Sequence, residues 1–266
     1  MEEEIKQETG KMRMVISAVA VFFLLIVIYY TIMALISPSV RISAINSEFG
    51  YIPPENTTID ERIFSDSAFV RLNRDMAFTK ARIAMAGTDS ICLALNLSDS
   101  TAILEINGVE VHRAKLSYLH ISKVIKKADE YAVSSMLAVP FTIKEDFSTI
   151  KKEPLMIKIA PKDTSEYKPD ILPDTARIEA VNYMFEMDNG FRLYVYQQNH
   201  EEGGGGLRRY FFDVNDRFKN IAAIFGKILI FRVPEYHPAI RIRMDRADAR
   251  IIYRALPRHG QIALYR

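Results

Sequence analysis

Between Met14 and Ile36 the chain carries no charged residue. At a rise of 1.5 Å per residue, a helix over this run is just long enough to cross a hydrocarbon core of about 30 Å, so the segment reads as a transmembrane helix. Lys6, Lys11 and Arg13 precede it, whereas Arg41 is the only basic residue after it before Arg62. That bias puts the N-terminus in the cytoplasm and the rest of the chain outside, and Glu2, Glu3 and Glu4 weaken it little. Ser37 and Ser39 are small enough for a cleavage site, but cleaved signals have a shorter apolar core, about 7 to 15 residues, which favours an uncleaved signal anchor. Pro38 and the pair Pro53-Pro54 mark the start of the outer region, and residues 37–60, rich in Pro, Asn, Ser and Thr, read as a tether.

The outer region is long enough to bury a core without covalent staples. A single cysteine, Cys92, excludes an internal disulfide, which suits a bacterial envelope protein better than a eukaryotic secreted one. The expected location is therefore the cell inner membrane, single-pass, with a periplasmic C-terminal region. Basic and acidic residues nearly balance, 35 against 33, so nucleic acid is not an expected partner.

The outer region reads as α+β, a mixed and mainly antiparallel sheet with a few helices. Phe69, Leu72, Met76 and Ile83, with Arg71, Arg74, Lys80 and Arg82 between them, predict an amphipathic helix over 65–86 with its apolar side toward a core. Asn107-Gly108 between Ala102–Ile106 and Val109–His112 predicts a hairpin, because both turn positions need positive φ. Ile91–Leu97 reads as a further strand, Ile121–Leu137 as a helix and Leu155–Ile159 as a short strand. Residues 163–175, with Pro169 and Pro173, look like a linker dividing an α+β domain at 61–162 from another at 176–266. Beyond it, Asp188-Asn189-Gly190 joins 178–187 to 191–197 in a second hairpin. The glycines at 203–206 precede no Gly-Lys-Ser/Thr and read as a loop, not a phosphate cradle. A helix over 213–225, strands at 228–233 and 239–244, a helix over 246–256 capped by Asp245, and a closing strand at 261–265 complete the pattern.

Chemistry is sparse. Five histidines, at 112, 120, 200, 237 and 259, lack the close pairing of a zinc helix, and no metal or cofactor is expected. No Gly-x-Ser-x-Gly elbow and no penicillin-binding set occur. Cys92, between Ile91 and Leu93, reads as a small buried apolar group. Asp146, Asp163, Glu179 and Glu186 are carboxylates that sequence cannot pair, so no catalytic residue is assigned.

The run Ile242-Arg243-Met244, then Asp248-Ala249, Tyr253 and the strand Gln261–Tyr265, resembles the stretch after the nucleophile in L,D-transpeptidases of the YkuD type. The resemblance covers about 25 of the 266 residues. It implies a transpeptidase-like C-terminal domain without its catalytic residue. The family's cysteine falls on Arg241, its glycine on Ile240 and its serine on Pro238, and an arginine cannot be the acyl-accepting thiolate.

Arg241 and Arg243 alternate with Ile240, Ile242 and Met244, which in a strand sends both guanidiniums to the side opposite the apolar residues. Arg246 and Arg250, with Arg254, come next at a spacing of four on one stripe of the adjoining helix. Arg241, Arg243, Arg246 and Arg250 are the candidate ligand-binding residues, and guanidinium forks suit the carboxylates and phosphates of an envelope. The expected function is a membrane-anchored binding or scaffolding role, with the lipid bilayer and peptidoglycan or another envelope protein as partners. Two alternatives stand beside it: an enzyme assembled from dispersed residues around His237, and an assembly partner acting through Ser17, Ala18 and Ala20 of the membrane helix.

Overall fold

A computed structural model of the chain describes residues 2–53, 61–152, 180–198, 212–214 and 232–266. The expected strand at 155–159, the linker at 163–175, the glycine loop at 203–206 and most of the helix at 213–225 and strand at 228–233 lie outside the described residues.

Eight strands close into one barrel: β1 (Ile91–Asn96), β2 (Thr101–Ile106), β3 (Val109–Ile121), β4 (Phe141–Ser148), β5 (Asn182–Met187), β6 (Arg192–Gln197), β7 (Ala239–Met244) and β8 (Gln261–Tyr265). Around the barrel they run β1-β2-β3-β7-β6-β5-β4-β8, with β8 returning to β1. Only β1·β8 and β6·β7 pair in parallel; the other six pairings are antiparallel. The sheet is thus mixed and mainly antiparallel, as the alternation implied. Its two expected domains are corrected: strands from both sides of the linker interleave in one barrel around one core.

Both hairpin turns form where the small residues stand, with φ of 50° at Asn107, 78° at Gly108 and 78° at Gly190. Side chains then alternate as strand geometry requires. Leu93 and Leu95, Ile240 and Ile242, Leu193 and Val195, and Tyr183 and Phe185 all enter the interior. Cys92, Ala94 and Ala263 point outward and are covered by α2 (Ser67–Ala86). β4 escapes a reading by sequence because only its first residues, Phe141 and Ile143, carry the buried alternation.

The connections from β3 and β7 close the two mouths. These strands lie side by side and antiparallel, Leu116 opposite Met244 and Ile121 opposite Ile240, so the segments after them leave at opposite ends. After β3 come α3 (Lys123–Lys127) and α4 (Glu130–Leu137), two short helices where the sequence predicts one; the break falls at Asp129, whose carboxylate caps α4 through Ala132 N–H. After β7 comes α5 (Arg246–Ala255), capped by Asp245 as its position before the helix predicts. Val124, Ile125, Val133 and Met136 on one side, and Ala249, Ile252 and Tyr253 on the other, join the same core.

α1 (Glu2–Phe49) is a single helix that includes Pro38. Its stretch Arg13–Phe49 is long and apolar enough to cross a membrane, with a window of mean hydropathy 2.8, none of it buried inside the protein. The tether expected at 37–60 is corrected over 37–49. There the helix continues because Ser37, Arg41 and Ile45, spaced by four, dock on the barrel. Ser37 donates to Pro234 O at 2.7 Å, Arg41 to Asn189 O at 2.6 Å, and Ile45 is 2 % exposed in the main core. Proline removes one backbone bond but cannot outweigh this docking.

α2 forms where its periodicity placed it, capped by Asp66, yet its face is reversed. Ala77, Ala81 and Met85 are buried, whereas Leu72, Met76 and Ile83 are 68 %, 47 % and 66 % exposed. Alanine against Ala94 and Ala263 lets the helix lie close on the sheet, a steric preference that hydrophobicity alone does not reveal.

Candidate functional site

Arg241 and Arg243 project from the outside of the barrel, opposite the inward Ile240, Ile242 and Met244, as their alternation required. The register around them is not visible in the sequence. On one side β6 sets Tyr194 beside Arg241 and Tyr196 beside Arg243; on the other, β3 sets His120 beside Arg241 and Tyr118 beside Arg243. Two parallel rows result, Tyr194-Arg241-His120 and Tyr196-Arg243-Tyr118.

Each guanidinium stacks on a ring in these rows. Arg241 Cζ lies 5.6 Å from the Tyr194 centroid and Arg243 Cζ 4.9 Å from that of Tyr118. Such contacts fix a guanidinium plane while its N–H edges stay available for acceptors. Among the described residues neither arginine is paired with a carboxylate. Arg243 Nε is shielded from solvent and has no hydrogen-bond partner among the described residues.

The floor under the rows is packed and hydrogen-bonded. Tyr194, Tyr196 and Phe212 form, with Met184, a hydrophobic cluster on the outer face, and Tyr196 donates to Asp213 at 2.9 Å. Burial, then the Asp213 carboxylate, pushes the Tyr196 hydroxyl well above the usual phenol range, so it stays a donor. Tyr118 and His120 remain exposed at the rim.

Arg246 and Arg250 fall on α5 instead of on the strand. They are half-buried, and the helix turns Ala249, Ile252 and Tyr253 into the barrel mouth. His112 meets Asp248 at 3.1 Å and Tyr253 donates to Asp146 at 2.8 Å, which pins α5 to β3 and β4. The helical pair of arginines therefore belongs to a different surface element from the Arg241/Arg243 platform.

The remaining sequence candidates fare variously. His237 is half-buried beside a cleft, its Nδ1 3.0 Å from Gly190 O, and among the described residues no carboxylate lies within ion-pair distance of it. Glu186 is taken by Arg192, at 2.7 Å. Asp146 accepts from Tyr253 and stands 3.6 Å from Lys152 Nζ. Cys92 is buried beneath α2. Asp163 and Glu179 lie outside the described residues. Sequence reasoning misses the aromatic partnership of the arginines; the one available signal is the alternation of Tyr194 and Tyr196 along β6.

No protein-family model, curated protein or solved structure matches this chain. The site is accordingly read from its own chemistry. Paired, ring-supported guanidiniums beside exposed Tyr118 and His120 can grip carboxylates or phosphates edge-on while the rings pack against an apolar or sugar face.

Proposed function

We propose that this chain is a single-pass membrane protein of a bacterial envelope, its barrel outside the membrane, and that it binds or scaffolds through the Arg241/Arg243 platform without catalysing a reaction. The observation that carries the reading is the pair of guanidiniums stacked on tyrosine rings with no carboxylate partner among the described residues, on the outside of a barrel whose interior is filled. A ligand met on such a surface needs acceptor groups and flat apolar faces together. Peptidoglycan offers both, as stem-peptide carboxylates and sugar rings, and is the ligand we assign. In the same reading, the β7–α5–β8 unit that resembles L,D-transpeptidases is a relative without its nucleophile, with Arg241 at the cysteine's place.

Co-sedimentation of the detergent-solubilised chain with isolated sacculi tests this. Wild type should pellet with them and an Arg241→Ala/Arg243→Ala variant should lose at least about tenfold in affinity, the scale of two charge-assisted contacts. Equal pelleting of the two proteins, or none by wild type, sinks the assignment.

A further inference from the structure

Where α1 leaves the apolar run it becomes one wall of a cleft. The other walls are α4, the β5–β6 turn and residues 233–237, and they enclose about 520 Å³, a volume typical of small-ligand sites. Its height above the bilayer comes from helix geometry and rests on the reading of 14–36 as the span. Arg41 stands five residues beyond Ile36, about 7.5 Å along the axis. The headgroup layer on each side of a bilayer is about 5–7.5 Å thick, so Arg41 lies at its outer edge.

The lining has both signs of charge beside apolar surface. Val40, Ala44, Ile45 and Phe49 are its apolar part on α1, Glu48 and Asp188 are exposed carboxylates, and Lys144 is an exposed cation at the same cleft. Arg41 spends one Nη2 bond on Asn189 O, and among the described residues neither its Nε nor the Asn189 side-chain amide nitrogen has an acceptor. Both are shielded from bulk water, so neither recovers by solvation the hydrogen bond it lacks. Two donors facing one cleft, Arg41 from α1 and Asn189 from the β5–β6 turn, suit an oxygen acceptor with two lone-pair directions, and the acids lining the same cleft suit a cation beside it.

We propose that this cleft holds the headgroup of a zwitterionic aminoalkyl phospholipid. Its phosphodiester meets Arg41 and Asn189, its ammonium points away from the bilayer toward Glu48 and Asp188, and its glyceryl end, on the bilayer side, rests on Val40. A headgroup bound so would set the height and rotation of the barrel on the membrane.

The test uses the full chain in nanodiscs of phosphatidylcholine alone or mixed with phosphatidylethanolamine or phosphatidylglycerol, with retained lipid counted by native mass spectrometry after release. Wild type should keep one phosphatidylethanolamine at about fivefold or more over either other lipid, Arg41→Ala should lose it, and Glu48→Gln, an exposed and structurally mild change, should reduce the preference over phosphatidylcholine. Equal retention of the three lipids, or unchanged selectivity in Glu48→Gln, overturns the proposal. Soluble phosphoethanolamine binding as tightly as the lipid would also overturn it, by assigning the cleft to a free ligand. Alkaline extraction separates the two readings: a chain stripped from membranes refutes the span itself, whereas a chain that stays but shows no lipid preference refutes the cleft assignment alone.

Discussion

Two side chains show how single residues hold the barrel. Glu105 is 2 % exposed beneath α2, where Arg82 reaches it through Nε at 3.1 Å and Nη2 at 2.6 Å. Removing the arginine leaves a buried carboxylate without its partner, so Arg82→Ala should cost about 2–4 kcal/mol, below the full buried-pair figure because Arg82 is partly solvated. Urea unfolding monitored by circular dichroism reads it. Tyr183 carries the opposite defect. Its hydroxyl is buried with no hydrogen-bond partner among the described residues, so Tyr183→Phe should raise stability by about 1 kcal/mol in the same assay. Tyr253 then gives a pH signature. Burial first, and the bond to Asp146 second, push its hydroxyl up to about 12. Unfolded phenols ionise near pH 10, so above that the unfolded chain holds fewer protons and stability falls as pH rises, through about pH 12 for this group. Below pH 10 its contribution is complete. Tyr253→Phe should flatten part of the alkaline decline; an unaltered profile would mean the hydroxyl does not titrate with folding.

Among elements, the hairpins were the most legible, because Asn107-Gly108 and Gly190 meet a backbone requirement that no tertiary contact can relax. α2 was legible in extent but not in orientation. Its outward Leu72, Met76 and Ile83 look like a core stripe, while the working contact is made by Ala77, Ala81 and Met85. Replacing Leu72 and Ile83 together by serine should therefore change stability by under about 0.5 kcal/mol per site, whereas Ala81→Leu should cost about 1–3 kcal/mol by forcing the helix off Ala94 and Ala263. The reverse ranking in urea titrations would restore the stripe to the core. α1 behaves likewise: Pro38 signals an end, and the docking of Ser37, Arg41 and Ile45 overrides it. The candidate site divides along the same line. That Arg241 and Arg243 share an outward face was readable from alternation, but Tyr118, His120, Tyr194 and Tyr196 reach them through pairings with distant strands.

For the molecule as a whole, closure of the barrel joins what looked like separate halves, and the end of α1 becomes part of the folded body. Ile45 belongs to the main core although it comes from outside the strand region. A chain starting at Ser37 should therefore unfold at a higher urea midpoint than one starting at Gly50, which lacks Ile45, the Arg41 bond to Asn189 and the Asn46 side chain that accepts from Asp129 N–H at 2.9 Å. Equal midpoints would reduce α1 to a leash.

From the amino-acid order alone came everything set by local rules: an apolar run long enough to span a bilayer, turns that demand positive φ, the cap at Asp245, and the inside–outside alternation of β7. These depend on a few neighbouring residues, and the physics acts at that range. Tertiary structure decided the closing of the barrel, the face by which α2 packs, the continuation of α1 past its proline, and the rings beneath the arginines. Each of these turns on contacts between residues far apart in the chain, where steric fit and strand register choose among local patterns that are all permitted.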